Sequence, residues 1–200
     1  MTTTAEVRRT ATFGGAQLAA HDHVCAFVLG EEERERLALS FFTEGLEDGE
    51  ACRYVGNRRD GRRMAATMAG KGVDLRLFEV SQPCATPMAG PLDVDSLIGA
   101  AYSWSRAIAG QDRRRFTRTL ADMTALHTLA GSAGFQDRLA AYEVRVSAYT
   151  TTAPHVFVCM FDFGVFGGDV LMASLKAHRD AWMGGQVLAR LPLAQGARPV

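Results

Sequence analysis

Two histidines and a cysteine alternate near the start of the chain, at His21, His23 and Cys25. Alternate side chains of a β-strand share one face, so these three project together if the strand begins at His21. Imidazole and thiolate groups suit zinc, copper or haem iron better than calcium or magnesium. A single strand makes a poor tetrahedral cage, so a fourth ligand is expected from elsewhere: His178, His127 or Cys159.

A second interpretation of these residues needs no metal. His21 and His23 then hydrogen-bond to the backbone at the start of the strand, and Cys25 packs as a small apolar side chain. Both interpretations stay open at the level of sequence. A hydrolase is not indicated, because the chain has no Gly-x-Ser-x-Gly elbow, and we expect no enzyme activity.

Two aspartates follow predicted strands, at the edge where open parallel sheets form their ligand crevice. Either Asp122 or Asp162 can hold a cation, a water or the donor group of a ligand, while Asp122 can equally cap the next helix. Trp104 and Tyr142 fall on apolar helix stripes and are candidate walls of a pocket. Glu143, beside that stripe, can either reach the pocket or pair with a neighbouring arginine at the surface, and the surface pair is the one expected.

The first elements predict a strand, a helix and a second strand. Val24 to Leu29 is a short apolar run, Gly30 breaks it, and a helical period follows up to Gly49. Another strand begins at Ala51. A crossover of this length implies a right-handed βαβ unit with parallel strands.

Periodicity and turn residues divide the rest of the chain in the same way. Further strands are predicted over residues 73–80, 115–123, 155–162 and 186–191, and further helices over residues 58–70, 93–109, 135–149 and 170–181. The pattern predicts a single three-layer α/β domain with a mostly parallel sheet. A flexible arm over residues 1–17 and a frayed tail over residues 192–200 are expected to flank it.

The balance of charged residues gives no indication of a nucleic-acid or membrane partner. The 200 residues include 22 Lys and Arg and 22 Asp and Glu, for a formal net charge of zero, so charge gives no reason to expect direct binding to nucleic acid or membrane. No segment suits a signal peptide or a membrane span, and a cytoplasmic location with reduced thiols is expected. A neutral surface protects weakly against self-association, so a homodimer is the alternative to a monomer.

Residues 37–55 resemble the helix after the P-loop, and the next strand, of RecA/KaiC-type ATPases. The P-loop itself is missing: where those proteins carry GxxxxGK[ST], this chain has Val28-Leu29-Gly30-Glu31-Glu32-Glu33-Arg34. Three carboxylates at a helix start would repel a triphosphate. The expected scaffold is RecA/KaiC-like without its phosphate site.

The His-x-Cys strand, the acidic turn and this helix together resemble the MEDS domain, the sensory domain of DcmR-type regulators from methanogens and methylotrophs. Later segments with the same resemblance are residues 139–143, 159–162, 166–171 and 175–178. A MEDS-like domain is expected over residues 18–191.

The resemblance implies a non-enzymatic sensory module of bacterial signalling or transcriptional regulation. Its ligand would be a small, largely apolar organic molecule at the carboxyl edge of the sheet, and its signal would pass to a regulatory protein partner. The residues expected to bind this ligand are His23, Cys25, Trp104, Asp122, Tyr142 and Asp162.

Two alternatives belong to other classes. One is a metal, haem or redox sensor that uses His21, His23 and Cys25. The other is an interaction module, such as a partner of a histidine kinase or an anti-sigma factor, in which the pocket is vestigial.

Overall fold

The computed structural model describes residues 9–83, 92–111 and 115–188. Its strands are β1 Thr10–Phe13, β2 Ala16–Ala19, β3 His23–Val28, β4 Ala51–Val55, β5 Phe78–Ser81, β6 Thr117–Asp122, β7 His155–Asp162, β8 Asp180–Met183 and β9 Gln186–Leu188. A two-stranded hairpin contains β1 and β2, and a seven-stranded sheet has the order β5-β4-β6-β7-β3-β8-β9.

The large sheet is parallel from β5 to β8, and β9 pairs antiparallel with β8 at one edge. The central strand β7 has the sequence HVFVCMFD, and every one of its residues is buried. Such a continuous apolar run is typical of a parallel strand that is covered on both faces. The predicted α/β domain with a mostly parallel sheet is therefore confirmed.

Helices cover both faces of the sheet and complete three layers. The helices are α1 Gly30–Glu47, α2 Arg58–Gly70, α3 Val94–Gln111, α4 Phe135–Thr150 and α5 Gly168–Ala177, with a 3₁₀ helix over Met123–Leu129. Buried side chains of α1 and α2 pack in one apolar cluster, whereas those of α3, α4, α5 and the 3₁₀ helix pack in a second cluster on the opposite face. We call the face of the sheet covered by α1 and α2 the α1 face, and the face covered by α3, α4 and α5 the α4 face.

The N-terminal hairpin corrects part of the arm expected over residues 1–17. From Thr10 onward the chain pairs β1 with β2 and packs on α1. Phe13 is fully buried, and its ring centroid lies 5.3 Å from that of Trp182. The burial of apolar side chains such as Phe13 holds this segment on the domain. The domain thus begins before residue 18.

Two predicted elements have different limits in the structure. The strand expected over residues 73–80 begins only at Phe78, because the Asp74 carboxylate accepts a hydrogen bond from the Arg76 backbone N–H at 3.0 Å and favours a turn. The helix expected over residues 170–181 ends at Ala177. Residues 180–183 instead form β8, which pairs with β3 and buries Trp182.

The tail predicted over residues 192–200 lies outside the described residues. Within the described ranges, no helix combines the length and the hydropathy needed to cross a membrane.

Candidate functional site

Four side chains with metal-ligating atoms meet on the α4 face, and we call this group the buried centre. His23 starts β3, Cys159 lies on the adjacent strand β7, Glu143 lies on α4, and His178 follows the last residue of α5. All four residues are buried, with exposed fractions between 0 and 7%. Their ligand atoms lie within 4.8 Å of one another.

The individual distances in the buried centre are short. His23 Nε2 lies 3.0 Å from His178 Nε2, 3.3 Å from Glu143 Oε2 and 3.4 Å from Cys159 Sγ. Glu143 Oε2 lies 3.3 Å from His178 Nε2 and 3.1 Å from Cys159 Sγ. Two nitrogens, one sulfur and one oxygen therefore face a common point.

Hydrogen bonds outside the buried centre orient both imidazoles. His178 Nδ1 donates to the Ser174 carbonyl oxygen at 2.7 Å, which leaves Nε2 to face the centre. His23 Nδ1 lies 2.8 Å from Ser147 Oγ, and that hydroxyl donates to the Glu143 carbonyl oxygen at 3.1 Å. Because the hydroxyl proton is used there, His23 Nδ1 donates to Ser147 and its Nε2 also faces inward.

Burial and mutual charge determine the protonation of the buried centre. Burial, with the neighbouring His178, lowers the pKa of His23 from 6.5 to about 4. Burial opposes ionisation of Glu143, but the two histidines outweigh it and lower the pKa of Glu143 from 4.5 to about 2. The Glu143 carboxylate likewise outweighs burial and raises the pKa of His178. Burial and Glu143 raise the pKa of the Cys159 thiol. At neutral pH an ion pair of Glu143 and His178 therefore lies beside a neutral His23 and a neutral thiol.

Glu143 was missed from the sequence as a member of this group. Its expected surface pair with an arginine is wrong, since Glu143 is 0% exposed and Arg145 instead pairs with Asp95. The residue spacing did indicate that Glu143 is buried. Glu143 lies four residues after Leu139 and three before Val146, and both of these residues belong to the buried stripe of α4.

The structure separates the three metal ligands predicted near the N-terminus. Only His23 enters the buried centre. His21 precedes β3 in a left-handed conformation, φ 76°, and its Nδ1 lies 2.8 Å from the Thr150 carbonyl oxygen. Cys25 packs in the apolar cluster of the α4 face. Of the proposed fourth ligands, His178 and Cys159 belong to the buried centre, whereas His127 is exposed.

The carboxyl edge of the sheet holds the two predicted aspartates on the α1 face. Arg34 of α1 pairs with both, at 3.1 Å from Asp122 Oδ2 and 3.0 Å from Asp162 Oδ2. The Tyr54 hydroxyl donates to Asp122 at 3.0 Å. Asp122 also accepts the backbone N–H of Thr124 at 3.1 Å, so it caps the 3₁₀ helix as well. Every charge in this cluster has a partner within the protein.

A narrow recess with a cavity volume of about 20 Å³ lies on the α4 face, between α3, α4 and strands β4 and β5. Its polar lining residues are Arg53, Ser81, Gln82 and Tyr142, and its apolar walls are Val55, Leu97, Ile98, Ala100, Ala101, Val146 and Phe157. The predicted ligand residue Tyr142 thus lines this recess. Trp104 stacks on the Arg53 guanidinium, 5.6 Å from Arg53 Cζ to the ring centroid.

The family model for MEDS, the methanogen/methylotroph DcmR sensory domain, matches residues 22–179. This range includes the buried centre, the recess and the carboxyl-edge aspartates. The chain belongs to the MEDS family. It is accordingly a sensory domain, as the sequence resemblance predicted.

The fold of this MEDS domain is similar to that of a KaiC-like protein, PH0186, from the hyperthermophilic archaeon Pyrococcus horikoshii OT3. The two share 15% sequence identity, with a TM-score of 0.58 over 82% of this chain and 72% of the other. At this identity the similarity shows the fold alone, and it confirms the RecA/KaiC-like architecture. Comparison with curated proteins gives no significant match.

The ligand residues expected for the MEDS domain divide between two faces of the sheet. Asp122 and Asp162 are joined through Arg34 on the α1 face. His23, Cys25 and Tyr142 belong to the α4 face, in or beside the buried centre and the recess. These residues do not form one pocket.

Proposed function

We propose that this MEDS domain is a non-enzymatic sensory module that binds a small, largely apolar organic molecule and signals through a regulatory protein partner. The observation that carries the proposal is the recess between α3 and α4. Small-molecule sites typically combine apolar walls with a few polar groups that orient the ligand. This recess has that composition, and a ligand larger than a water molecule would enter it as α3 and α4 move apart. At the carboxyl edge on the α1 face, by contrast, Arg34 already pairs with both aspartates.

The polar groups of the recess indicate the ligand class. The Tyr142 hydroxyl forms no hydrogen bond with another described residue and lines the recess. Arg53 is 6% exposed, and its guanidinium is held by the Ala100 carbonyl oxygen, Ser81 Oγ and Glu79 at 3.2, 2.9 and 3.1 Å. Both groups donate hydrogen bonds, so the ligand would carry an oxygen acceptor on an apolar body.

The recess lies beside residues of α4 and β3 that belong to the buried centre. Its wall residue Phe157 contacts the His23 ring, with 5.7 Å between centroids, and its polar residue Tyr142 directly precedes Glu143. Occupation of the recess would therefore press on α4 and on the start of β3. The resulting shift of α4 and β3 would change the surface that the partner protein contacts and so transmit the signal.

Thermal unfolding with a series of short-chain alcohols, ketones and carboxylates tests this proposal. We expect at least one series to raise the unfolding temperature of the wild type. Ala101→Phe, which fills the recess, should abolish that effect, and Tyr142→Phe should weaken binding roughly tenfold through loss of one hydrogen bond. Val144→Phe is the matched control, because Val144 lies on α4 and is 61% exposed.

Two results would overturn the proposal. One is the absence of any shift with every series. The other is equal stabilisation of the wild type and of a folded Ala101→Phe variant. Circular dichroism establishes that each variant is folded.

A further inference from the structure

The geometry of the buried centre resembles that of a ligand shell. Atoms bound at 2.0–2.3 Å to a tetrahedral ion lie about 3.3 to 3.8 Å apart. The five distances between His23, Glu143, Cys159 and His178 given above are 3.0 to 3.4 Å. Along these five distances the atoms would need to move apart by only a few tenths of an ångström to surround an ion, and the sixth pair, Cys159 Sγ and His178 Nε2, lies within 4.8 Å.

The donor set selects a class of ion. A bound ion would displace the protons of His178 and Cys159, which leaves two imidazole nitrogens and one thiolate as donors. These donors favour zinc and similar transition metals over calcium and magnesium, which prefer oxygen ligands alone. Four protein ligands complete a tetrahedral shell, and their burial leaves no position open to solvent. A closed shell of this type is characteristic of structural or regulatory zinc sites rather than catalytic ones.

The surroundings of the ligands are those of a metal site as well. Metal-binding histidines usually donate their second ring N–H to a carbonyl or another polar group, which fixes the ring. His178 donates to the Ser174 carbonyl oxygen and His23 to the Ser147 hydroxyl. Two rings from distant parts of the chain are thereby held with their Nε2 atoms 3.0 Å apart.

One polar atom gives independent support. Glu143 Oε1 is buried and has no hydrogen-bond partner in the described structure, although Glu143 is 0% exposed. An unsatisfied carboxylate oxygen in the interior is costly. A cation beside this carboxylate would offset that cost.

We propose that His23, Glu143, Cys159 and His178 bind one transition-metal ion of the zinc type per chain. This site is distinct from the recess of the preceding section. It differs from the ligand set expected from sequence by including Glu143 and by excluding His21 and Cys25, whereas His178 and Cys159 were both candidates for the fourth ligand. The ion would join β3, β7, α4 and α5, elements that are up to 155 residues apart in sequence.

Cobalt titration of the full chain, purified under reducing conditions without a histidine tag and stripped with a chelator, tests the site. We expect one Co²⁺ per chain, intense visible bands of a four-coordinate ion and a near-ultraviolet sulfur-to-cobalt charge-transfer band. One equivalent of Zn²⁺ should displace the cobalt and remove the colour. A wild-type protein that gives no such spectrum would overturn the proposal and leave the centre as a buried hydrogen-bond network.

Matched variants assign the ligands. Cys159→Ser should remove the charge-transfer band, and His178→Gln should weaken Co²⁺ binding by more than about 100-fold, beyond the range seen for residues that only support a ligand. Cys25→Ser is the control, because Cys25 is buried on the same face and is the strand partner of Cys159. A charge-transfer band that survives Cys159→Ser but disappears in Cys25→Ser would contradict the assignment. The wild-type titration decides the proposal even if one of these variants does not fold.

Discussion

The carboxyl edge on the α1 face and the buried centre on the α4 face both gather charged groups, but they satisfy them differently. At the edge, Arg34 supplies one cation to two carboxylates, and Tyr54 and Thr124 donate further hydrogen bonds. In the buried centre, four ligand atoms face one another while Glu143 Oε1 has no partner among the described residues.

This difference separates a structural cluster from a candidate site. A buried carboxylate must be paired in the folded protein, and at the carboxyl edge the pairing cation is an arginine of the chain itself. The buried centre has only one ion pair for four polar side chains. The first cluster should therefore govern stability, and the second should respond to a ligand.

Loss of Arg34 should have the largest effect. Asp122 and Asp162 side chains are each 3% exposed, so Arg34→Met would leave two buried carboxylates without their cation. We expect the free energy of unfolding to fall by about 3 kcal/mol, measured by urea denaturation. Arg36→Met, on the exposed side of the same helix, should change it by less than about 0.5 kcal/mol. Equal stability of the two variants would show that the edge cluster is not structural.

Zinc should stabilise the wild type by an amount that depends on Glu143. At a free zinc concentration 100 times the dissociation constant, binding adds about 2.7 kcal/mol to the free energy of unfolding. For a domain of this size the unfolding temperature then rises by about 5 to 10 °C. Glu143→Gln should lose most of this shift in differential scanning fluorimetry. Retention of the full shift would remove Glu143 from the ligand set.

Ser147→Ala should have a smaller effect on the same readout. The Ser147 hydroxyl is not itself a proposed ligand and acts on the metal through His23, so its loss should weaken metal binding about tenfold, equivalent to about 1.4 kcal/mol. Thr151→Ala provides the comparison, since Thr151 lies just beyond the same helix and is exposed. If zinc raises the unfolding temperature of both variants as much as that of the wild type, the orientation of His23 does not depend on Ser147.

Local sequence signals predicted most of the fold. The apolar run of β7 and the helix of α1 after Gly30 are set by side-chain periodicity, which is a property of neighbouring residues. The hairpin at Thr10 was missed because its polar and small residues fold only against α1 and Trp182. The predicted helix ran into the first two residues of β8, because the pairing of β8 with β3 is a long-range contact.

The sequence by itself determined the parallel α/β architecture, the missing P-loop at Glu31 to Glu33 and the presence of His23 on the first strand of the main sheet. Only the tertiary structure decided which groups meet His23. Strand alternation placed Cys25 on the same face, yet the partners of His23 in the buried centre come from α4, β7 and the end of α5. Residue spacing predicts which side chains share a face of one helix or strand. A ligand shell needs side chains from several elements, and only the packing of the whole chain brings those elements together.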